Sequence, residues 1–365
     1  MMLKIESRMH NSNGIRRSIV LILTLLALLA VPALAQTVEH IPNAPDVPHS
    51  NGDTFFNPGA EPHGNFFAFL RWVSSRGNRE PWYWIPSEPG PPPPPRVYGD
   101  TLLVTFINHS TVLLQTNGVN ILTDPIWSER CSPVKWAGPK RYRKPGIRFE
   151  DLPKIDVVMI SHNHFDHMDE GTLQRLVERD SPAILAGLGS DEDLEEMGIA
   201  GGVELDWWDQ VTIKGTRFDF VPAQHFSSRG MWDRNKALWG GFVIETGSGP
   251  VYFAGDTGFA PFFQDLRKVF GPMRLSMLPI GAFLPKWFMG PVHLSPAEAV
   301  KAHGILESRH SLGIHFGTFP LADDGQTEPI DSLRAALDRE AIPDTVFRVL
   351  LEGTSWRLLP EAEKE

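Results

Sequence analysis

In "IDVVMISHNHFDHMDE", residues 155–170, an apolar run ends and a cluster of metal-ligand types begins. Ile155 to Ile160 is apolar but for Asp156, as expected of a strand covered on both faces. Ser161 ends it, and the next residues spell H-x-H-x-D-H: His162, His164, Asp166 and His167. The cluster therefore sits on the loop that leaves the strand. Residues two apart at a strand end project the same way, so His162 and His164 can grip one ion. Asp166 and His167 lie past the turn and can face a second. Imidazole suits Zn²⁺, and carboxylate suits it as well. Accident is the competing explanation: with 13 histidines in 365 residues, such a pattern recurs in roughly one chain per thousand. A solvated polar loop is the other.

Three more candidate ligands end apolar runs. His225 follows "FVPAQ", Asp256 closes "VYFAGD", and His315 stands inside "LGIHFGTF". Burying such a group without a partner is costly. Each alone is more often a satisfied core residue, but together they complete a set of seven nitrogen and oxygen donors.

Around these positions the chain reads as α/β. "TLLVTFI", "STVLLQT" and "VNILTD" are short β-rich runs separated by His-Ser and Asn-Gly breaks. Further strands read at "RFDFVPA", "LWGGFVIET", "PVYFAGD", "LSMLPIG" and "SLGIHFG". Helices read at Gly171–Arg179, at "SPAEAVKAHG" with an N-cap serine, a first-turn proline and an acidic third residue, and at "DSLRAALDRE". There is no internal repeat.

The first 35 residues stand apart. Arg16-Arg17, the apolar run Ile19–Val31 and the A-x-A site before Gln36 are the parts of a secretory signal peptide, with cleavage expected after Ala35. Export to the periplasm or secretion follows. Residues 36–96 read as an N-terminal extension and linker, with an aromatic helix-like segment "NFFAFLRWVSS" and five prolines, Pro91 to Pro95, as a stiff polyproline spacer. The catalytic domain reads as residues 97–360. The chain has a net charge of −10, and residues 1–35 hold four of its basic residues against one acidic, so the remainder is more acidic still. That argues against nucleic acid as a partner. Cys131 is the one cysteine, so no internal disulfide forms.

The order of these motifs resembles the metallo-β-lactamase superfamily. Within it the chain is similar to the branch of N-acylphosphatidylethanolamine-hydrolysing phospholipases D. "INHSTVLLQ", "ILTDPIWSERCSP", "GPKRYR", the histidine stretch, "VPAQHFSSRGMWDRNKALWGGFVI", "FAGDTGF", "LPIGAFLPKWFM", "VHLSPAEAV" and "IHFGTF" carry it, across about Thr101 to Phe319. The N-terminal "FFNPG" and "FLRW" fit the same branch. The resemblance implies a four-layer αβ/βα sandwich with two Zn²⁺ at one edge of two sheets. It places His162, His164 and His225 on one zinc, and Asp166, His167 and His315 on the other, with Asp256 bridging. Asp166 and Asp256 become the catalytic carboxylates, and a metal-bridging hydroxide attacks a phosphodiester. Phe165 and His293 take the positions that touch the lipid; mammalian members have tyrosine where Phe165 stands. His109 and Asp124 read as groups supporting the ligands, and Asp233 and Asn235 as ordering the loop after His225. The implied reaction releases an N-acylethanolamine and phosphatidic acid at a membrane surface touched peripherally, and a homodimer is compatible with it.

Two segments extend that expectation. "FLPKWFMGPVHL", Phe283 to Leu294, either holds an acyl chain or packs in the core. "KRYRKPGIR", Lys140 to Arg148, either attracts anionic head groups or is a solvated loop. The competing activities are a lactonase or another phosphodiesterase on the same scaffold. A β-lactamase fits less well, because Asp256 stands where the common binuclear lactamases place a cysteine. A non-catalytic metal binder fits less well with a complete donor set.

Overall fold

The structure is a computed structural model and describes residues 37–60, 64, 66–75 and 80–360. The signal peptide read at residues 1–35 lies outside the described residues. The chain divides into Met1–Thr37 and Val38–Glu365; every element below belongs to the second unit.

β1 (Val38–His40) and α1 (Phe66–Ser75) come first. β2 (Leu102–Asn108), β3 (Thr111–Thr116) and β4 (Val119–Thr123) form an antiparallel meander. Asn117 and Gly118 both have positive φ in its second turn, as an Asn-Gly hairpin requires. β5 (Val157–Met159), α2 (Glu170–Asp180), β6 (Ala183–Gly187), α3 (Ser190–Glu196) and β7 (Val203–Leu205) follow, with the strands parallel. β8 (Asp209–Ile213), β9 (Thr216–Val221), β10 (Gly241–Ile244) and β11 (Val251–Phe253) are antiparallel. After α4 (Phe262–Phe270) come β12 (Leu275–Pro279), α5 (Lys286–Met289), α6 (Pro296–Ile305) and β13 (Ser311–Ile314). α7 (Glu328–Arg339), β14 (Phe347–Arg348) and β15 (Ser355–Leu358) close the chain. One sheet runs β15-β2-β3-β4-β5-β6-β7, the other β1-β8-β9-β10-β11-β12-β13-β14.

Alternation along the strands sorts the core into layers. Val104, Phe106, Leu114 and Ile121 of the first sheet share one cluster with Phe218, Phe220 and Phe242 of the second. Their neighbours Leu113, Leu122 and Val158 turn the other way, onto Leu173 and Leu176 of α2 and Leu194 of α3. Phe263 of α4, Val300 of α6 and Leu333 of α7 cover the second sheet. The result is the expected αβ/βα sandwich. Each fully buried Leu or Phe contributes about 1.5–3 kcal/mol.

Several local expectations change in the fold. The described parts of the extension read at residues 36–96 pack on the sandwich: β1 pairs with β8, and Trp72 of α1 stacks on Phe288 at 5.0 Å. The proline run is fastened rather than free. Polyproline carbonyls have no internal donors, and here Pro94 O accepts from Gln115 Nε2 (2.8 Å) and Pro95 O from Asn120 Nδ2 (3.0 Å). The basic stretch is partly interior. Arg141 is buried and donates to the Ser128 and Ile126 carbonyls, and buried Arg143 pairs with Glu352 at 2.9 Å. Those two charges are spent inside the protein and not offered to head groups. In the apolar loop, Phe283, Phe288, Met289 and Val292 are buried and Trp287 is exposed, so packing claims most of it. α6 has the expected capping box on Ser295. α7 begins at Glu328 with Thr327 as N-cap, a turn earlier than the Asp331 start, because Pro329 is tolerated in a first turn. Among the described residues no helix is long and apolar enough to cross a membrane.

Asp219 on β9 is fully buried, and burial pushes its carboxyl up to about 7 despite Arg217 beside it. The folded state holds this proton where the unfolded chain has released it, so stability falls as pH rises from the ordinary carboxylate range through 7. Asp219→Asn is expected to stabilise the protein at pH 8 by on the order of 2 kcal/mol and to flatten that slope. Urea unfolding at pH 5 and pH 8 measures both.

Candidate metal centre

The donors converge because each follows a strand end at one edge of the sandwich. His162 to His167 follow β5, His225 follows β9, Asp256 follows β11 and His315 follows β13. His109 lies in the β2–β3 turn and Asp124 follows β4. His109, Asp124 and His315 all have positive φ, a conformation that costs about 1–3 kcal/mol for a non-glycine residue and is found at functional sites. Gly255, also at positive φ, is where the two sheets touch: a Cβ there would stand 2.4 Å from Ser161 Cβ.

Among the described residues four overlapping groups of donor atoms result, each with all atoms within 4.8 Å of one another: His162, His164 and His225; His109, Asp166, His167 and His315; Asp124, His162 and His167; and His225, Asp256 and His293; the first two contain the ligand sets read from the sequence. Asp256 lies between those two. Its Oδ2 is 3.2 Å from His167 Nε2, 3.0 Å from His315 Nε2 and 3.9 Å from His225 Nε2. The seven residues read from the sequence as ligands are thus brought together. His109 joins them, with Nε2 at 2.9 Å from Asp166 Oδ2.

The outward nitrogens decide the tautomers. His225 Nδ1 donates to Val292 O (2.9 Å), which leaves a lone pair on Nε2. His167 Nδ1 donates to Asp124 Oδ2 (2.6 Å), with the same consequence. Ser161 Oγ donates to Asp124 Oδ2 (2.6 Å), so it accepts from His162 Nδ1 (2.9 Å). Asp124 thereby orients one histidine of each cluster, the supporting role expected of it. Inward, His162 Nε2 and His164 Nδ1 stand 2.8 Å apart. Asp256 Oδ1 is buried and has no hydrogen-bond partner among the described residues, and His167 Nε2 faces Asp166 Oδ2 at 3.1 Å and Asp256 Oδ2 at 3.2 Å.

The electrostatics agree. Burial and neighbouring imidazoles hold His162 well below the ordinary histidine range, burial leads the fall of His164 to about 4, and burial holds His225 low. Neutral imidazoles are ligands. Burial opposes a charge on His167 and His315 too, yet Asp256 and Asp166 lift the first well above its usual value and the second to about 9. An interior this negative favours a cation, and the converging lone pairs suit a divalent metal. The donor set fits a metal cofactor, with no sulfur in it: Cys131 is a free buried cysteine packed with Ile126 and Phe319.

The two expected substrate contacts fall in different places. His293 joins the centre, with Nδ1 3.8 Å from Asp256 Oδ2. Phe165 lies beneath Arg229, whose guanidinium is 4.2 Å from the ring centroid. Phe165 and Arg229 together line two cavities of about 550 and 490 Å³. Asp233 orders the loop after His225 as expected, accepting from the Arg229 and Gly230 amides.

Two supports were not visible in the sequence. Asn57 brackets His225, donating to its carbonyl (2.7 Å) and accepting from its amide (3.2 Å). Arg229 Nη1 donates to Asn163 O and Met168 O, each at 2.8 Å, and so ties both ends of the metal loop. Only the motif match of "FFNPG" hinted at the first. Arg229→Ala is expected to cost about 2–3 kcal/mol of stability and to lower metal retention; urea unfolding and metal analysis after dialysis check it.

Comparison with known proteins gives the family of the chain. The profile of the beta-lactamase superfamily domain matches residues 119–316. The N-acyl-phosphatidylethanolamine-hydrolyzing phospholipase D 1 of Caenorhabditis elegans is 37% identical over 269 residues, covering 70% of this chain and 75% of that protein. The mitochondrial N-acyl-phosphatidylethanolamine-hydrolyzing phospholipase D of Saccharomyces cerevisiae is 34% identical over 250 residues, covering 67% of this chain and 53% of that one. Among solved structures, a metallo hydrolase from Ignicoccus hospitalis has the same fold, with a TM-score of 0.54 at 22% identity, over 71% of this chain and 99% of that one. The chain belongs to the metallo-β-lactamase superfamily, as a metal-dependent hydrolase of the branch that holds the N-acylphosphatidylethanolamine-hydrolysing phospholipases D.

Proposed function

We propose that the protein is a phospholipase D-type phosphodiesterase with two zinc ions, hydrolysing N-acylphosphatidylethanolamine-like phospholipids to an N-acylethanolamine and phosphatidic acid. The observation that carries this reading is the pair of sulfur-free donor clusters with Asp256 Oδ2 between them. The names of the nematode and yeast relatives supply the substrate class. His162, His164 and His225 hold one ion; Asp166, His167 and His315 hold the other. When bound, such ions supply charge neutralisation at the phosphoryl oxygens and an acidic water.

The chain's own residues do the rest. Water oxygen bonds to phosphorus as the bond to the ethanolamine oxygen breaks. Asp256, ionised because His315 and His167 outweigh its burial, takes the water proton on Oδ1 and returns it to the leaving alkoxide. His293, pushed down to about 3 by burial, stays neutral and offers a hydrogen bond to a phosphoryl oxygen. Phe165 gives the adjoining cavities an apolar wall without a hydroxyl. Phe69, Leu70 and Val73 of α1, with Trp287, are exposed and suit peripheral contact with a lipid surface. The leader read at residues 1–35 supports export, to the periplasm or beyond.

The zinc-loaded protein, incubated with N-acylphosphatidylethanolamine vesicles and separately with a soluble bis-aryl phosphodiester, is expected to release N-acylethanolamine and phosphatidic acid by mass spectrometry. His162→Ala is expected to release neither. Cleavage of the soluble ester alone would discard the lipid and keep the phosphodiesterase. Cleavage of neither by zinc-bound protein would turn the reading toward a lactonase.

A further inference from the structure

Behind the second donor cluster lies a cavity of about 10 Å³, lined by residues that include Trp82, His109, Ala282, His315 and Asp324. His109, His315 and Asp324 are 1%, 2% and 6% exposed. Each carries one buried atom with no hydrogen-bond partner among the described residues: His109 Nδ1, His315 Nδ1 and Asp324 Oδ1.

Their other atoms fix what these three offer. His315 Nε2 faces Asp166 Oδ2 (3.3 Å) and Asp256 Oδ2 (3.0 Å); as a metal ligand it keeps its proton on Nδ1, which needs an acceptor. His109 Nε2 lies 2.9 Å from Asp166 Oδ2. An ionised carboxylate only accepts, so Nε2–H donates and Nδ1 holds a lone pair. Asp324 Oδ2 accepts from the Ala282 amide at 3.2 Å; the Asp324 and Leu284 amides also favour the charged carboxylate, and Oδ1 has no hydrogen-bond partner among the described residues. One donor and two acceptors therefore belong to side chains that line a space of about 10 Å³, at the lower edge of the roughly 10–15 Å³ that holds one water with two to four polar partners. A second cavity, of about 100 Å³, shares Trp82, Ala322 and Asp324 with the first.

We propose that a single buried water accepts from His315 Nδ1–H and donates to Asp324 Oδ1 and His109 Nδ1, which makes Asp324 a positioning residue for His315. The proposal rests on the reading of His315 as a metal ligand. Metal-bound histidines are held by a partner on the second ring nitrogen; Asp124 serves His167 in this way, and Asp324 serves His315 through the water. Burial pushes the Asp324 carboxyl up to about 6, and a carboxylate so poorly solvated gains from an added donor.

The test uses the full protein loaded with zinc or with cobalt. Asp324→Asn keeps an oxygen for the Ala282 amide and turns a donor toward the cavity, where the network needs an acceptor. One metal equivalent is expected to bind about 10–100-fold more weakly in chelator competition, the other to be unchanged, and the cobalt absorption of one ion to shift. A high-resolution crystal structure of the zinc-loaded wild type is expected to show a water within hydrogen-bond reach of all three atoms. A dry cavity, a direct His315–Asp324 bond, or wild-type affinity and spectrum in Asp324→Asn overturns the proposal. If that variant does not fold, the crystal structure decides alone. His315→Ala that keeps both metal equivalents at wild-type affinity would instead remove His315 from the ligand set.

Discussion

Asp256→Asn is expected to lower turnover by about 10²–10⁴-fold, the range for losing a positioned acid–base group, with the fold retained. The side chain is buried, and four imidazoles approach its Oδ2: His315 and His167 within 3.2 Å, His293 at 3.8 Å and His225 at 3.9 Å. Burial opposes the charge, but His315 and His167 hold the carboxyl well below its usual range, so it is ionised throughout the working pH range. Asparagine matches its shape and removes that whole charge. It also turns an NH₂ toward ring nitrogens that present lone pairs. Circular dichroism is expected to be unchanged, because no hydrophobic contact is lost. Metal analysis accompanies the kinetics, so that lost metal and lost proton transfer are told apart. Near-normal turnover in a metal-replete Asp256→Asn protein would sink the role given to this residue.

Gly255→Ala is expected to cost about 2–5 kcal/mol, from the left-handed conformation and from overpacking together, and to lose metal. Gly255 has φ +58°, and a Cβ there would stand 2.4 Å from Ser161 Cβ and 2.8 Å from Ser161 Oγ. Ser161 belongs to the first sheet's metal loop, and Gly255 to the second sheet's. A methyl group forces the sheets apart at the point where Ser161 links His162 to Asp124. The midpoint of urea unfolding and the zinc content are both expected to fall. Wild-type values for both would overturn the role given to this contact.

Much of the centre was legible because its donors end apolar runs. A polar residue closing a buried strand is conspicuous, and His162, His225, Asp256 and His315 all do so. Asp124 and His109 were legible for the same reason, though not their targets. Arg229 was not: its two acceptors are the carbonyls of Asn163 and Met168, and a carbonyl leaves no mark in a sequence. Nor did the charge of "KRYRKPGIR" reveal that Arg141 points inward, since burial of a guanidinium depends on acceptors supplied by Ser128 and Ile126. The strands β1, β6, β7, β8, β14 and β15 were unread because each is short and gains its stability from pairing with a neighbour more than from its own propensity.

The sequence by itself determined the donor types and their order, because metal-ligand chemistry and strand-end spacing are local properties, and its motifs carried the resemblance to the superfamily. Tertiary structure decided which nitrogen of each histidine faces inward, how closely the sheets approach at Gly255, and which carboxylates support which ligands. Those depend on partners far apart in the chain: Asp166 and His315 are separated by 149 positions, and Asn57 and His225 by 168. Hydrogen bonds act over about 3 Å, and only the folded chain brings such residues to that distance.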